Sequence, residues 1–581
     1  MKKFENYIKS VYIIIYRQSY INLGGMEMNL KKLSAMLLTL ALSVSVFAGC
    51  GKPGTGTEKP AEEKILKMGL SGYTGLFNPI MSDNTYDTYV VDLIFEALVK
   101  LNKDGEYEPN IAEWKISEDK LTYTFTLKDG IKFSDGTDLT ADDVAFTYMT
   151  IANPKYDGPR AYAVSSLEGY EAYQKGEKKE FPGIKVVDKK TIEFKFAEGK
   201  AAPSNIESFV YGIMSKDYYK FDTWEAFLEL NEKPLGSNVM VFDSWAPKEF
   251  IKLKKNTKYW DSANAAKIDG VLMSEVPDDS IIASLQSGDI DFAQPGANKD
   301  NVAAIEGLDN VTLQSYLGNG YTFMAFNTKK ETLSDVKVRQ ALLYALDRES
   351  FIKAEYGSEE IARVGLAPLS PTSWAFPDEK DLNPYKFDLE KAKGLLEEAG
   401  WKVGSDGFRY KGNTKLSLSW LVYTESTWPT TLSGMAADTW KQIGVDLKIE
   451  LMDFDTVAER TMDAKPEDKN FDVYTMGFSL SVDPDPTGAL FDADAYMEGG
   501  FNATGFRDAK SQELVQKGKA EYDQTKRAEI YKEWAKLQNE LVPTVIIAYR
   551  NEIWGVNNRV KGMELGSFKD WVTCIKDITI E

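Results

Sequence analysis

A short apolar segment near the amino terminus decides where the rest of the chain must fold. A basic head, Asn29–Lys32, precedes an apolar run over residues 33–48, and the segment ends in Cys50. An apolar run of sixteen residues is shorter than the ~20 that span a bilayer. Small residues also precede Cys50, where a signal peptidase would bind. We therefore predict a secretory signal over 28–49 and lipid attachment to Cys50. The alternative is an uncleaved anchor helix, which likewise holds the chain to a membrane outside the cytoplasm.

The segments that flank this signal are predicted to lie outside the folded body. Residues 1–27 are interpreted as a leader upstream of the true start at Met28, because residues 23–27 resemble a translated ribosome-binding site. Residues 50–64 are rich in Gly, Pro, Thr and charge without apolar periodicity, which predicts a flexible, lipid-anchored linker. Folding is expected to start at about residue 62, with a strand at Ile65–Leu70.

Composition excludes several classes of function. The chain has no histidine, which removes Ser-His-Asp and Cys-His nucleophiles and His-based zinc sites. The formal net charge of −20 disfavours nucleic acid, since phosphates would be repelled. If Cys50 carries lipid, Cys574 has no disulfide partner in the chain. We therefore predict no enzyme activity, no cofactor, no metal site and, without histidine, a ligand affinity nearly constant between about pH 6 and 8.

Local patterns predict individual strands and helices. Leu121–Leu127 alternates apolar side chains with Thr, which indicates a strand with one face in a core. The turn residues 129–130 predict a hairpin into 131–133. Thr140 and Asp143 form a capping box for a helix. Further helices are predicted at 90–98, 335–346 and 389–399, and further strands at 192–196, 271–273 and 446–451.

A set of motifs then recurs in a fixed order along the chain. They are Trp114–Asp119, Tyr123–Phe125, Phe133–Val144, Ser287–Asp291, Ala325–Thr328, Val336–Arg348, Asp388–Trp401 and Asp483–Pro486. Together they resemble the family-5 extracellular solute-binding proteins, the peptide- and nickel-type receptors of ABC importers. The matching motifs extend over nearly the whole chain that follows the signal.

The resemblance implies a fold class and a domain organisation. We expect an α/β protein of the periplasmic-binding-protein-like fold, with mixed sheets, two lobes, an extra subdomain in lobe I and a hinge of two strands. Recurrent strands separated by helices agree with mixed α/β lobes. The expected bounds are 62–318 plus 543–581 for lobe I, about 82–190 for its extra subdomain, 319–542 for lobe II, and 321–326 and 544–549 for the hinge strands.

The resemblance also implies a function. We expect a lipid-anchored monomer on the outer face of the bacterial cell membrane that captures oligopeptides in an interlobe cleft and passes them to an ABC permease and ATPase complex. Binding a peptide through its backbone needs little side-chain preference. A receptor for oligosaccharides on the same fold is the alternative, since aromatic residues can stack on sugars. Nickel is disfavoured by the lack of histidine. A carboxylate-pair glycoside hydrolase is a distant alternative.

The ligand site is predicted mainly in the loop around Asp483. In peptide-binding relatives this loop supplies backbone groups and an acid for the terminal ammonium. Asp483 is the first candidate for that acid and Asp485 the second; the alternative is a Pro-rich turn with capping acids. The other candidates have structural alternatives: residues 83–85 can be a surface loop, and Trp428 can be a core residue. The predicted ligand-binding residues are Asp483, Asp485, Phe478, Ser479, Ser481, Asp83, Asn84, Thr85, Asn319, Tyr321 and Trp428.

Overall fold

The computed structural model describes residues 63–70 and 72–581. The predicted leader, signal, lipidation site at Cys50 and most of the linker lie outside the described residues. Within the described part of the chain, no helix combines the length and the apolar character needed to cross a membrane.

Strands and helices alternate along the described chain. The strands are β1 (Ile65–Leu70), β2 (Val99–Leu101), β3 (Tyr107–Pro109), β4 (Ala112–Ile116), β5 (Thr122–Leu127), β6 (Ile184–Val186), β7 (Thr191–Lys195), β8 (Met240–Ala246), β9 (Phe250–Lys255), β10 (Gly270–Glu275), β11 (Phe292–Ala293), β12 (Val311–Leu317), β13 (Gly320–Phe326), β14 (Ala362–Val364), β15 (Lys402–Val403), β16 (Arg409–Lys411), β17 (Thr414–Lys415), β18 (Ser417–Tyr423), β19 (Asp446–Met452), β20 (Val473–Ser479), β21 (Thr544–Asn557), β22 (Val560–Lys561) and β23 (Thr579–Ile580). The helices are α1 (Thr85–Ile94), α2 (Ala141–Ile151), α3 (Tyr162–Ser165), α4 (Tyr170–Gln174), α5 (Lys216–Tyr219), α6 (Trp224–Leu228), α7 (Ile281–Ser287), α8 (Lys299–Glu306), α9 (Glu331–Ser334), α10 (Val336–Tyr344), α11 (Arg348–Glu355), α12 (Leu389–Glu398), α13 (Thr427–Gln442), α14 (Phe454–Arg460), α15 (Ala509–Ala520), α16 (Gln524–Leu541) and α17 (Trp571–Cys574).

Two large hydrophobic cores, beside a small third cluster between Val276 and Val311, give the protein two lobes. The first core is built from residues between Leu66 and Phe292 together with Trp554 to Ile580. The second core is built from residues between Tyr321 and Tyr549. Because apolar side chains leave water only where they pack together, two such cores make two bodies. The predicted two-lobed α/β architecture is confirmed; the exact lobe bounds stay a prediction.

One long mixed sheet joins the two lobes. Its strand order is β19-β18-β20-β13-β21-β11-β1-β10-β9-β8, and β12 and β14 also pair with β21. Strand β21 is 14 residues long. Its first residues, Thr544–Tyr549, lie at the second core, and Trp554 and Val556 pack in the first. Strand β21 therefore runs from one lobe into the other, and β13 pairs with it along the second-lobe half.

A smaller sheet in the first lobe carries part of the candidate site. Its order is β4-β5-β7-β6. A 3-10 helix, Pro203–Phe209, packs on this sheet through Phe209, whose ring centroid lies 4.6 Å from that of Phe125 and 4.8 Å from that of Phe194. Such aromatic packing fixes the segment because both rings are fully buried.

Most of the local predictions agree with the structure, but two are wrong. The capping box of α2 is present, with Asp143 accepting from both the amide and the hydroxyl of Thr140. The helix predicted at 90–98 is instead α1, because Asn84 caps its start at Thr85 and the backbone becomes extended at Phe95. The hairpin predicted at 129–133 does not form: β5 pairs with β4 and β7 instead.

Candidate functional site

The candidate site forms where β13 begins and β20 ends, at the junction of the lobes. These strands pair antiparallel, and their last pair is Gly320 with Ser479. A Cβ on Gly320 would lie 2.6 Å from the carbonyl oxygen of Phe478, so the close pairing at this end depends on glycine. The rings of Tyr321 and Phe478 stack with centroids 5.9 Å apart. This end of β20 opens into the segment 479–486, called here the ligand loop.

Asn319 fastens the start of the ligand loop. Its main-chain oxygen accepts from the Leu480 amide at 2.9 Å, and its Nδ2 donates to the carbonyl oxygens of Leu480 (2.9 Å) and Ser481 (3.3 Å). After this point the main-chain N–H groups of Ser481 and Val482 have no hydrogen-bond partner among the described residues. The loop thus presents unpaired main-chain donors immediately beyond a fixed strand end.

Asp483 is held by an arginine of the same lobe. Its two carboxylate oxygens accept from the two terminal nitrogens of Arg527 at 2.5 and 2.8 Å, and the side chains are only 11% and 4% exposed. Burial raises the pKa of Asp483, and the hydrogen bonds and charge of Arg527 oppose that rise. Burial lowers the pKa of Arg527, but hydrogen bonding to Asp483 and the charge of Asp483, together with Tyr531, outweigh burial, and the pKa is raised overall. Asp483 therefore has a bidentate counter-ion.

Asp485 differs from Asp483 in having no such counter-ion. Its Oδ1 accepts from the amide and the hydroxyl of Thr487, at 3.0 and 2.6 Å, and its own amide donates to Asp483 at 2.9 Å. No cationic side chain of the described residues lies within ion-pairing distance of it. The carboxylate is part of a turn and keeps an uncompensated negative charge.

Glu207 reaches the ligand loop from the first lobe and was missed by the sequence analysis. Its Oε1 accepts from the Ser481 hydroxyl at 2.5 Å, across 274 residues of sequence. The Tyr107 hydroxyl and the Asp483 amide lie beside Glu207, and that amide donates to the Ser481 hydroxyl oxygen at 3.3 Å. Burial, followed by the charge of Asp483, raises the pKa of Glu207 to about 7. No sequence signal could have found it, because nothing in a 3-10 helix of the first lobe points to this loop.

The first-lobe candidates lie at the amino end of α1. Asn84 caps the helix by accepting from the Tyr86 amide and donates to the Gly72 carbonyl, both at 2.8 Å. Asp83 lines a cavity of about 730 Å³ whose lining residues all belong to the first lobe. Thr85 is exposed. The structure does not bring these three residues together with the ligand loop at that cavity, and their role stays a prediction.

Further along α1, Asp92 is a second first-lobe carboxyl with a raised pKa. Its side chain is exposed to water, yet burial raises its pKa to about 7, followed in effect by the charge of Asp570 and opposed by Arg160. Beside it, the Tyr89 ring packs edge-on against Trp571 with centroids 5.4 Å apart.

Two predicted ligand contacts are buried in the second core. Tyr321 is 5% exposed, and Trp428 is 3% exposed and packs edge-on against Tyr423. In this conformation they offer a ligand little surface. Phe478 is half-buried, and Ser479 and Ser481 are exposed at the lobe junction. The structure therefore gathers Phe478, Ser479, Ser481, Asp483, Asp485 and Asn319 at one place and leaves Trp428 and Tyr321 beneath it.

Comparison with known protein families decides the class of protein. A family model described as bacterial extracellular solute-binding proteins, family 5 Middle, matches residues 106–495. The chain belongs to this family. The predicted resemblance is thereby confirmed, and family-5 members are extracytoplasmic, substrate-binding transport receptors.

Relatives of this family-5 chain match it over most of its length. The oligopeptide-binding protein AppA of Bacillus subtilis (strain 168) is 28% identical, over 92% of this chain and 96% of the relative. A dipeptide-binding protein of Escherichia coli (strain K12) is 29% identical, over 92% of this chain and 97% of the relative. The solved structure of AppA from Bacillus subtilis in complex with a nonapeptide is 26% identical, with a TM-score of 0.71, and covers 90% of this chain and 100% of that chain.

Proposed function

We propose that this protein captures oligopeptides in the cleft between its lobes and delivers them to the permease of an ABC importer. In this proposal a lipid on Cys50 tethers the protein, as a monomer, to the outer face of the bacterial cell membrane. The single observation that carries the proposal is the ligand loop: unpaired N–H groups of Ser481 and Val482 follow strand β20 at the lobe junction. An extended peptide can pair with such groups as an added strand.

The relatives support a peptide as the cargo. AppA of Bacillus subtilis is named an oligopeptide-binding protein and was solved with a nonapeptide. Affinity from main-chain pairing is compatible with many sequences, because side chains of the peptide point away from the hydrogen bonds into solvated space. Loss of the main-chain N–H groups of Ser481 and Val482 as donors would therefore lower the affinity for all peptides by a similar factor.

The acid that receives the terminal ammonium is part of the proposal. We place Asp485 ahead of Asp483, because Arg527 already neutralises Asp483 whereas Asp485 has no cationic partner among the described residues. A carboxylate in a partly dry cleft gains more from a cation than one on the surface. Asp485→Asn should weaken peptides with a free amino terminus about tenfold and leave their N-acetylated forms unchanged in isothermal titration calorimetry. Equal losses for both peptide forms would remove Asp485 from this role.

Native mass spectrometry of protein purified from its own cells tests the cargo directly. Bound species would be released and fragmented. A ladder of peptide masses supports the proposal and gives the preferred length. Sugar masses would instead support the oligosaccharide receptor. In a separate assay, turnover of an added glycan would support the glycoside hydrolase.

A further inference from the structure

Contacts between the two lobes converge on one carboxylate. Glu207 belongs to the first lobe, and its Oε1 lies 2.5 Å from the Ser481 hydroxyl of the ligand loop. The Asp483 amide of the same loop donates to the Ser481 hydroxyl oxygen at 3.3 Å and lies beside Glu207. The Tyr107 hydroxyl, from the first lobe, lies beside both Glu207 and Ser481. One group of four residues thus joins the lobes at the site where ligand is proposed to bind.

The first-lobe side of this contact is rigidly held. Glu207 lies between Ile206 and Phe209 in the 3-10 helix, and both of those side chains pack in the first core. Tyr107 lies on β3, which pairs with β2. Side chains carried on packed elements keep their position, so Glu207 moves only when the first lobe moves.

The second-lobe side is equally well held. Asn319 fixes the loop before Ser481, and Arg527 of α16 fixes it after, through Asp483. The contact therefore joins two rigid bodies, and it exists only while the lobes are together.

Two neighbouring contacts lie on the same side of the molecule. The Nζ of Lys120, between β4 and β5, lies 5.4 Å from the ring centroid of Tyr522, between α15 and α16. The 3-10 helix Pro203–Phe209 also lies against α15. The small sheet of the first lobe and its 3-10 helix thus form one surface that meets the second lobe.

We propose that Glu207 is a positioning residue that clasps the ligand loop to the first lobe and so sets how far the empty receptor closes. For the receptor with bound ligand, this role of Glu207 rests on the proposed function. Closure of the empty receptor does not depend on which ligand the protein binds. The small sheet of the first lobe thereby gains a role in closing the cleft.

The charges around Glu207 make the clasp sensitive to protons. Facing groups are the hydroxyls of Tyr107 and Tyr162, the Ser481 hydroxyl and the carboxylate of Asp483, whose own counter-ion is Arg527. Closing removes water from Glu207 and sets it near a second negative charge, so its pKa is about 7 when the lobes are together. When the lobes separate, water returns and the pKa falls toward the ordinary carboxyl value.

The sign of the pH effect follows from this difference. A carboxyl whose pKa is higher in the closed state binds its proton more tightly there, so protonation favours closing. The stabilisation is present in full below the ordinary carboxyl pKa and is lost as pH rises through about 7. The closed-to-open ratio of the empty receptor should therefore fall about tenfold or more between pH 5.5 and 8.

Small-angle X-ray scattering of the empty receptor over that pH range tests the clasp. Wild type should expand as pH rises. Glu207→Gln, whose amide oxygen can accept from Ser481 but does not titrate, should stay compact at both ends. Glu207→Ala should be expanded throughout, and Ser481→Ala should shift in the same direction by a smaller amount. Glu180→Gln removes an exposed first-lobe carboxylate and should behave as wild type.

Two results would overturn the clasp. One is a pH profile that Glu207→Gln shares with wild type; the other is unchanged compactness in both Glu207→Ala and Ser481→Ala. Ser481 is exposed, so its variant reports even where Glu207→Ala fails to fold. Because the protein is measured empty, failure to bind any peptide would count against the proposed function and would leave the clasp result intact.

Discussion

The buried pair between Asp483 and Arg527 should make Asp483→Asn a stability variant before it is a binding variant. The substitution leaves a guanidinium that is 4% exposed without its counter-ion. Arg527 would keep its Nε bond to the Gly518 carbonyl, at 2.8 Å, and its ring contact with Tyr531. Removing one partner of a buried ion pair costs about 3–5 kcal/mol. In a lobe of this size that lowers Tm by roughly 10 °C.

Differential scanning calorimetry with a double-mutant cycle measures this directly. Asp483→Asn and Arg527→Met should each destabilise the second lobe, and the double variant should lose less than the sum. Asp378→Asn breaks an exposed pair with Lys380, and its Tm should change little, since such pairs contribute about 0–1 kcal/mol. If Asp483→Asn melts like wild type and loses affinity only for peptides with a free amino terminus, the reasoning from the buried pair is wrong. Asp483 would then be the first candidate for the acid that pairs with the terminal ammonium of the peptide.

Two further substitutions test the elements that support the site. Gly320→Ala places a methyl 2.6 Å from the Phe478 carbonyl oxygen, which must spread the pair of Gly320 and Ser479. We expect the free energy of unfolding, measured by chemical denaturation, to fall by about 1–3 kcal/mol and peptide binding, measured by calorimetry, to weaken. Unchanged affinity would contradict the dependence on glycine. Ser511→Ala removes the acceptor of Trp534 Nε1 (3.2 Å) and Gln538 Nε2 (2.8 Å), so stability should fall by about 1–3 kcal/mol with peptide affinity kept; an affinity loss instead would connect the α15–α16 packing to the ligand loop.

The elements that sequence predicts well are those whose signals are local. Asp335 caps α10 by accepting from the Lys337 amide, and α12 ends just before Gly400, whose φ of 87° suits glycine. In each case the residue that decides the boundary lies within one turn of it. The helix at Thr85–Ile94 was misplaced for the same reason: its cap, Asn84, was interpreted as a ligand contact rather than as a helix start.

Strand partners could not be predicted because they lie far apart in the chain. The turn after β5 suggested a hairpin with the next residues, but β5 pairs with β7, about 70 residues later along the chain. The same holds for β21, which pairs with β11, β12, β13 and β14. Alternation in a strand identifies its buried face but not the neighbour that hydrogen-bonds to it.

The candidate site was predicted in its location but not in its chemistry. Motif order identified the ligand loop, yet the counter-ion of Asp483 is 44 residues away and the carboxylate that meets Ser481 is 274 residues away. The expectation of constant affinity between pH 6 and 8 was drawn from the lack of histidine. Burial raises the pKa of Glu207 to about 7, so the lobe junction is expected to titrate in that range without histidine, and the prediction of constant affinity stays to be tested.

The contact within the second lobe is stronger than the contact between the lobes, as a receptor that must open requires. The bidentate ion pair of Asp483 and Arg527 lies within the second lobe, so opening does not break it. Across the lobes the ligand loop is held by the hydrogen bond from Ser481 to Glu207, worth about 0.5–3 kcal/mol net, at a carboxyl whose charge varies near neutral pH. A stronger link at Glu207, such as a second buried ion pair, would hold the lobes shut and retain the cargo. The weak clasp lets a few kcal/mol of interaction with a permease reverse closure, while the loop keeps its shape for the next ligand.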